Sequence, residues 1–370
     1  MDLKLGRLIA AFMIVGAFFF CFKFLLSDKM ENTASKNSDD TEGGVHRWQI
    51  ATTWNNNLPL LQANIEKMLK EIAVQTDGQL LITLTDAPKD ANGNAIAMSN
   101  PLNLLHAVSN GDIQAIHAAA YYWKNEIPAA VYFGSVPFGL EHGEVKQWLD
   151  NGGLNLWREL YAQYHINARP FSCGHTGNQM GGWFKKEIHS GADLRHLRMR
   201  IAGLGGEVMK NCFNILPSSQ LPSEIFAAIQ NGTLDAAEWI GPYDDYRLGL
   251  HTLGAFYYEP GWQEPNTMFE LLINYDAYNK LPAQIQAKLT AVIEKYDAKI
   301  YQDYIDQNQT YRRTLENKMN VPIRYFPKDV IKSLYRCTKT TLETYNRQDE
   351  SGYSQKIYDN YMQFRGKTEW

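Results

Sequence analysis

Cysteine is scarce in this chain: four residues in 370, and none of them set in a CxxC pair. That excludes a disulfide-dense mini-scaffold and argues against a thiolate metal centre. Excess charge is missing as well. The 36 Lys and Arg against 40 Asp and Glu leave a formal net charge of −4, without the basic surplus of a dedicated nucleic-acid binder. HExxH, GxSxG and Walker sequences are absent, and so is any internal repeat of fixed short period. What remains is an ordinary globular composition, 45% hydrophobic and 21% charged, which excludes disorder for the chain as a whole. At about 150 residues per domain, the length fits roughly two domains. Aromatics reach 12%, with 21 Tyr and 9 Trp, and suit a ligand cleft or a large core equally well.

Lys4 and Arg7 precede an unbroken apolar run from Leu8 to Phe22, the plan of a secretory leader. If Lys23 snorkels, the apolar stretch extends through Leu26 and reaches spanning length. Phe24-Leu25-Leu26 occupy the place where a small-residue cleavage site is expected. The expectation is export, with residues 1–27 acting as a signal peptide or a signal anchor. Residues 28–45, polar and small, read as a flexible linker. On the exported side stand Cys173, Cys212 and Cys337, an odd number. A Cys173–Cys212 bridge is open, and buried free thiols are the favoured reading.

From Val45 the pattern is strand, helix, strand. Trp48–Thr52 and Leu80–Leu84 read as strands, with apolar residues at helical spacing from Leu60 to Val74 between them. A second helix-then-strand unit ends at Ile113–Ile116. A further set begins near Phe171. It comprises a strand at Leu197–Ile201, helices at Gly206–Phe213 and Pro222–Gln230, and a strand at Asp235–Trp239. Thr267–Asn274 reads as a strand returning to the first set, and Pro282–Met319 as one long amphipathic helix. The expected fold is α/β: a two-lobed clamshell with hinge strands and a long C-terminal helix. Lobe I takes residues 46–170, completed by about 267–319. Lobe II takes 171–266, completed by 320–370.

Several residues stand out against this background. Arg200 sits between Met199 and Ile201, where burial of a guanidinium asks for an anionic partner. An internal salt bridge and a bound carboxylate account for it equally. Glu238 and Trp239 sit in an apolar run that ends at Gly241-Pro242, and a buried Glu there needs a cation, either Arg or a metal ion. Asp244 and Asp245 read as a solvated helix start rather than a Ca²⁺ site. Asn178 and Gln179 supply amide oxygens beside Gly181 and Gly182, and Tyr121 and Tyr122 supply aromatic hydroxyls from the first lobe. Cys173-Gly174-His175 carries little weight as a nucleophile beside a base. Gly203-Leu204-Gly205-Gly206 reads as a tight turn, because Val208 stands where a dinucleotide fingerprint needs glycine.

These stretches resemble substrate-binding proteins of the tripartite ATP-independent periplasmic (TRAP) transporters. The likeness is to the DctP-like family, in the branch that binds 2-oxo and 2-hydroxy monocarboxylates. It rests on Ala120-Tyr121-Tyr122-Trp123, Asn178-Gln179-Met180-Gly181-Gly182-Trp183-Phe184, Met199-Arg200-Ile201 and above all Asp235 through Asp245, within a span from about Trp48 to Pro327. The resemblance implies that Arg200 pairs with the substrate carboxylate. It implies a bridging metal ion, Na⁺ or Ca²⁺, held by the side chains of Gln179 and Glu238 and the carbonyl of Trp239, with Tyr121 or Tyr122 closing from the first lobe. It also implies a small organic acid as ligand, a TRAP permease as partner, the periplasm as compartment, and a homodimer through the long helix in some relatives. Leu216 to Gln220 departs from the pattern expected of that loop. Two rivals stand beside this reading: a metal-dependent enzyme acting on 2-oxo acids, and an anchored envelope sensor.

Overall fold

The computed structural model describes residues 41–42, 44–54, 58–218 and 222–365. The expected leader, most of the linker and Cys21 lie outside the described residues, as do Ser219 and Gln220. The body from His46 to Trp370 forms one unit.

Its first half opens with strand β1 (Val45–Thr52), helix α1 (Pro59–Gln75) and strand β2 (Leu80–Leu84), followed by α2 (Pro101–Asn110) and β3 (Ala115–Ala118). Proline at the start of α1 and α2 presets the backbone angle of the first turn. The Asn100 side chain caps α2 at one end, and Gly111, at φ 83°, closes it at the other. β1 pairs parallel with both β2 and β3. After α3 (His142–Trp148) and α4 (Leu154–Gln163), strand β4 (Ala168–His175) joins this first sheet, which has the order β2–β1–β3–β10–β4 once β10 (Met268–Asn274) is inserted antiparallel to its neighbours. The first sheet therefore runs through His175, five residues past the expected boundary at 170.

The second sheet has the order β11–β9–β5–β8–β6–β7. Its strands are β5 (Gly182–Phe184), β6 (Arg198–Arg200), β7 (Leu216–Ser218), β8 (Ala236–Ala237), β9 (Phe256–Glu259) and β11 (Ile323–Tyr325). Helices α5 (Gly203–Phe213), α6 (Pro222–Gln230) and α7 (Pro242–Arg247) belong to this half. The chain passes between the sheets three times. The crossings are 176–181 after β4, 260–267 after β9, and the long helix α9 (Ala283–Asn317), which follows the short α8 (Tyr275–Lys280) and leads to β11. α9 spans 35 residues with no Gly or Pro, and buries Ile285, Leu289, Val292, Ile293, Tyr296, Ile300 and Tyr304 against β4, α1 and α7.

The favoured reading of free thiols holds only for Cys173, which is buried: Cys212 is bridged to Cys337, tying α5 to α10 (Lys328–Gln348), and the Cys173–Cys212 bridge left open does not form. Only α10 completes the second half. The last helix, α11 (Tyr353–Phe364), returns to the first, where Tyr361 Oη accepts from the Leu140 amide at 2.5 Å.

Candidate functional site

The two crossing segments are stitched to each other. The Thr176 amide donates to the Thr267 carbonyl at 3.0 Å, the Thr267 amide to Thr176 Oγ1 at 3.1 Å, and the Gln179 amide to the Glu264 carbonyl at 3.3 Å. Gly261 makes this approach possible, since a Cβ there would lie 2.1 Å from the Gln179 carbonyl oxygen. Gln179 and Glu264 are thereby held side by side, both buried, at the junction of the two sheets.

From the second sheet, register brings two further groups to the same place. Arg200 on β6 lies opposite Ala237 on β8, and the pairing continues when the Glu238 amide donates to the Arg200 carbonyl at 3.0 Å. Arg200 Nη1 then donates to Glu238 Oε1 at 2.6 Å and to the Glu238 carbonyl at 2.8 Å, while the Ala202 amide reaches the same Oε1 at 2.8 Å. Trp239, next in the chain, lies under the guanidinium at 4.9 Å. The structure thus contains the internal Arg200–Glu238 salt bridge that the sequence left open against a bound carboxylate. Arg200 Nε and Trp239 Nε1 stay buried without a partner.

A nearly closed cavity of about 10 Å³ lies between these groups, lined by Trp54, Tyr121, Tyr122, Phe269, Gln179, Arg200, Glu238, Trp239 and Glu264. Tyr121 and Tyr122 come from a short 3₁₀ turn, Ala120–Trp123, that follows β3. Burial pushes the Tyr122 phenol up to about 12 and Tyr121 well above its usual range, so both are neutral hydroxyls. Six of the seven residues singled out in the sequence therefore line one cavity. Asn178 does not. It is exposed, reaches Glu141 at 3.4 Å and faces a separate groove beside Arg312, because the tight turn that buries Gln179 points its neighbour the other way.

Glu264 was not legible from the sequence, where it is a lone acid in Gly261-Trp262-Gln263-Glu264-Pro265. Its Oε2 accepts from Gln179 Nε2 at 2.7 Å and from the Thr267 hydroxyl. Burial, and then the charge of Glu238, raise its carboxyl to about 8. Burial also raises Glu238, against the opposing pull of Arg200 and the Ala202 amide. One guanidinium faces two buried acids, and a cation entering beside Glu264 would take the place of the proton that burial keeps there.

Gln179 turns a free oxygen to the same place. With Nε2 committed to Glu264 and, at 3.0 Å, to Thr267, its Oε1 is buried and has no partner. An amide oxygen and a carboxylate are hard donors, of the kind Na⁺ and Ca²⁺ take. Among the described residues no group of three or more His, Cys, Asp or Glu is placed to hold a metal, so an ion here draws on amide, carbonyl and ligand oxygens as well.

Asp244 and Asp245 are not the solvated pair expected. Both are buried on α7. Asp245 accepts from Trp183 Nε1 at 2.8 Å and Tyr257 Oη at 2.7 Å, and burial raises it to about 6. Cys173 is sealed against Met68 at 3.8 Å, and its thiol is pushed up by burial, which leaves it no nucleophilic use.

The family model for bacterial extracellular solute-binding proteins of family 7, DctP, matches residues 50–348. A curated relative, the monocarboxylate 2-oxoacid-binding periplasmic protein of Nostoc sp., is 39% identical over 277 residues, covering 71% of this chain and 72% of that protein. Two solved TRAP periplasmic solute-binding proteins are each 33% identical, covering 86% of this chain and 94% of the other. One, from Colwellia psychrerythraea, has bound calcium and pyruvate at a TM-score of 0.78. The other, from Pseudoalteromonas atlantica, has bound sodium and pyruvate at a TM-score of 0.77.

Proposed function

This chain belongs to the DctP family of TRAP solute-binding receptors, and from that premise we propose that it captures a 2-oxo or 2-hydroxy monocarboxylate as a metal chelate. The observation that carries the proposal is the orphaned Gln179 Oε1 beside the Glu238–Arg200 pair. Gln179 Oε1, Glu238 and the Trp239 carbonyl would hold Na⁺ or Ca²⁺. Such an ion supplies an electropositive anchor that an acid chelates through its carboxylate and the adjacent oxygen. Arg200 would turn part of its fork from Glu238 to the substrate carboxylate, with Tyr121 and Tyr122 excluding water from above.

The receptor acts by binding alone. A ligand that bridges groups from both halves favours their closure, and that differential affinity is the signal a permease reads. Its place is the periplasm, with the N-terminal segment either cleaved as a leader or kept as an anchor; among the described residues no helix is long and apolar enough to cross a membrane. Two copies would pair along α9, whose solvent face carries Ala287, Ala291 and Ala298, small enough to let a second helix approach.

The test is a melting panel on the chelated protein with pyruvate, longer 2-oxo acids, lactate and simple dicarboxylates, with Na⁺ or Ca²⁺ added back. A ligand at about 100 times its Kd stabilises by about 2.7 kcal/mol, several degrees of melting temperature. The expected result is a cation-dependent shift confined to acids bearing oxygen at the second carbon. A shift of equal size for dicarboxylates, or one without cation, would overturn it.

A further inference from the structure

Away from this cavity, two arginines stand together without an acid. Arg158 lies on α4 and Arg169 on β4, elements packed against each other at the edge of the first sheet. Both side chains are half-buried, and the Nε of each is sealed from water without a hydrogen-bond partner. Among the described residues neither guanidinium makes a hydrogen bond or an ion pair. Arg198, Arg312 and Arg324, by contrast, each hold a carboxylate.

Arg169 is nonetheless held in a fixed orientation. Its guanidinium carbon lies 4.6 Å from the ring centre of Tyr278 and 5.4 Å from that of Phe171, two rings whose centres are 5.8 Å apart, so both rings hold it from one side. Arg158 feels Arg169 directly: burial first, and then the neighbouring positive charge, lower its pKa, with the Tyr278 and Tyr275 hydroxyls near it. Two like charges drawn together in a half-buried place, each with a donor denied water, form an arrangement that a bound anion relieves.

We propose that Arg158 and Arg169 form a second binding site, distinct from the acid cavity, for a doubly charged oxyanion of the phosphate type. Two guanidiniums match two negative charges, and a tetrahedral oxyanion offers enough oxygens to take an edge from each fork at once. A monocarboxylate has too few oxygens and too little charge to satisfy both. The site does not depend on the ligand proposed for the cavity.

The experiment titrates inorganic phosphate into the full chain at constant ionic strength, so that screening does not change. It follows the arginine Nε–H resonances. The expected result is saturable movement of two such resonances, one lost in Arg158→Gln and the other in Arg169→Gln. Either substitution weakens phosphate binding at least about tenfold, the scale of one lost charge-assisted fork. The response to pyruvate and cation stays unchanged in both variants, which establishes that they fold. A second arm uses vesicles of phosphatidic acid, whose phosphomonoester can carry two charges, and of phosphatidylcholine. Binding to the first alone, abolished in both variants and without a response to free phosphate, supports the site with a lipid headgroup as its source. No response to phosphate and no binding specific to phosphatidic acid overturns the proposal, whatever the cavity binds.

Discussion

Gln179 and Glu264 stand on different crossing segments of the chain, yet the amide of one donates to the carboxylate of the other at 2.7 Å. An amide is ambiguous by itself, since either end can face a ligand. Here the acceptors Glu264 and Thr267 claim Nε2, and Oε1 is left to the cavity. The contact also spans the junction between the two sheets, so the geometry that presents an oxygen to a cation depends on how the halves are joined.

Glu264→Gln keeps the volume and removes an acid that holds its proton in the cation-free protein at neutral pH and would give it up to an entering cation. At the few ångströms that separate it from its neighbours, a carboxylate contributes several kcal/mol to a cation even at an effective dielectric of about 20. Cation affinity should fall by an order of magnitude or more, with the melting temperature of the cation-free protein unchanged or raised, because a buried acid has gone. Tryptophan fluorescence titrated with Ca²⁺ reads the loss directly, and wild-type affinity would remove Glu264 from the site.

Arg200→Ala should abolish acid binding and also destabilise the protein, since Glu238 is left buried and unpaired at a cost of roughly 3–5 kcal/mol. Arg200→Lys separates the two effects. It restores the charge for Glu238 but not the planar fork, so stability recovers while acid affinity remains at least about a hundredfold down. Calorimetry on both variants checks this, and near wild-type affinity in Arg200→Lys would mean that the guanidinium does not grip the ligand.

The sequence carried the fold well because its signals were local. The apolar spacing from Leu60 to Val74 became α1, and the stretch free of Gly and Pro after Pro282 became α9. Arg200 and Glu238 were visible because a charge between apolar neighbours is costly at any fold. What stayed hidden depended on contacts distant in sequence. Cys212 and Cys337 meet only after α10 has folded back on α5, across a separation of 125 residues. Asn178 and Gln179 look interchangeable in the chain, and only the crossing turn decides which one is buried. Asp244 and Asp245 read as exposed because nothing in their own neighbourhood announces that α9 covers them.

Glu270 offers a test on pH. It is fully buried on β10, accepting from Trp123 Nε1 at 2.5 Å and Tyr161 Oη at 2.6 Å, and burial raises its carboxyl to about 8. A raised acid binds its proton more tightly in the folded state than in the unfolded one. Its stabilising contribution is therefore complete below the unfolded value of about 4.5 and is lost as pH climbs through about 8. Stability should decline by a few kcal/mol across that window, and Glu270→Gln should flatten the decline. Urea midpoints at pH 5, 7 and 9 measure it. Trp123 ends the turn that carries Tyr121 and Tyr122, so acid binding should weaken over the same range in the wild type and not in the variant.

The Cys212–Cys337 bond predicts a separation between stability and recognition. It closes a loop of 125 residues that contains the site residues Glu238, Trp239 and Glu264, and it anchors α10 to α5 on the outer side of the second sheet. Cross-links over long loops stabilise mainly by limiting the unfolded chain, typically by about 2–4 kcal/mol. Both cysteines pack in the apolar cluster of Met209, Phe213 and Leu334, which reaches Met199 and Ile201 beside Arg200 but contributes no side chain to the cavity. Cys212→Ser with Cys337→Ser, or reduction of the wild type, should therefore lower the melting temperature by several degrees and leave the acid and cation affinities within about twofold at a temperature where both forms are folded. Loss of binding in step with the loss of stability would instead mean that α10 holds the second half in the shape the cavity requires.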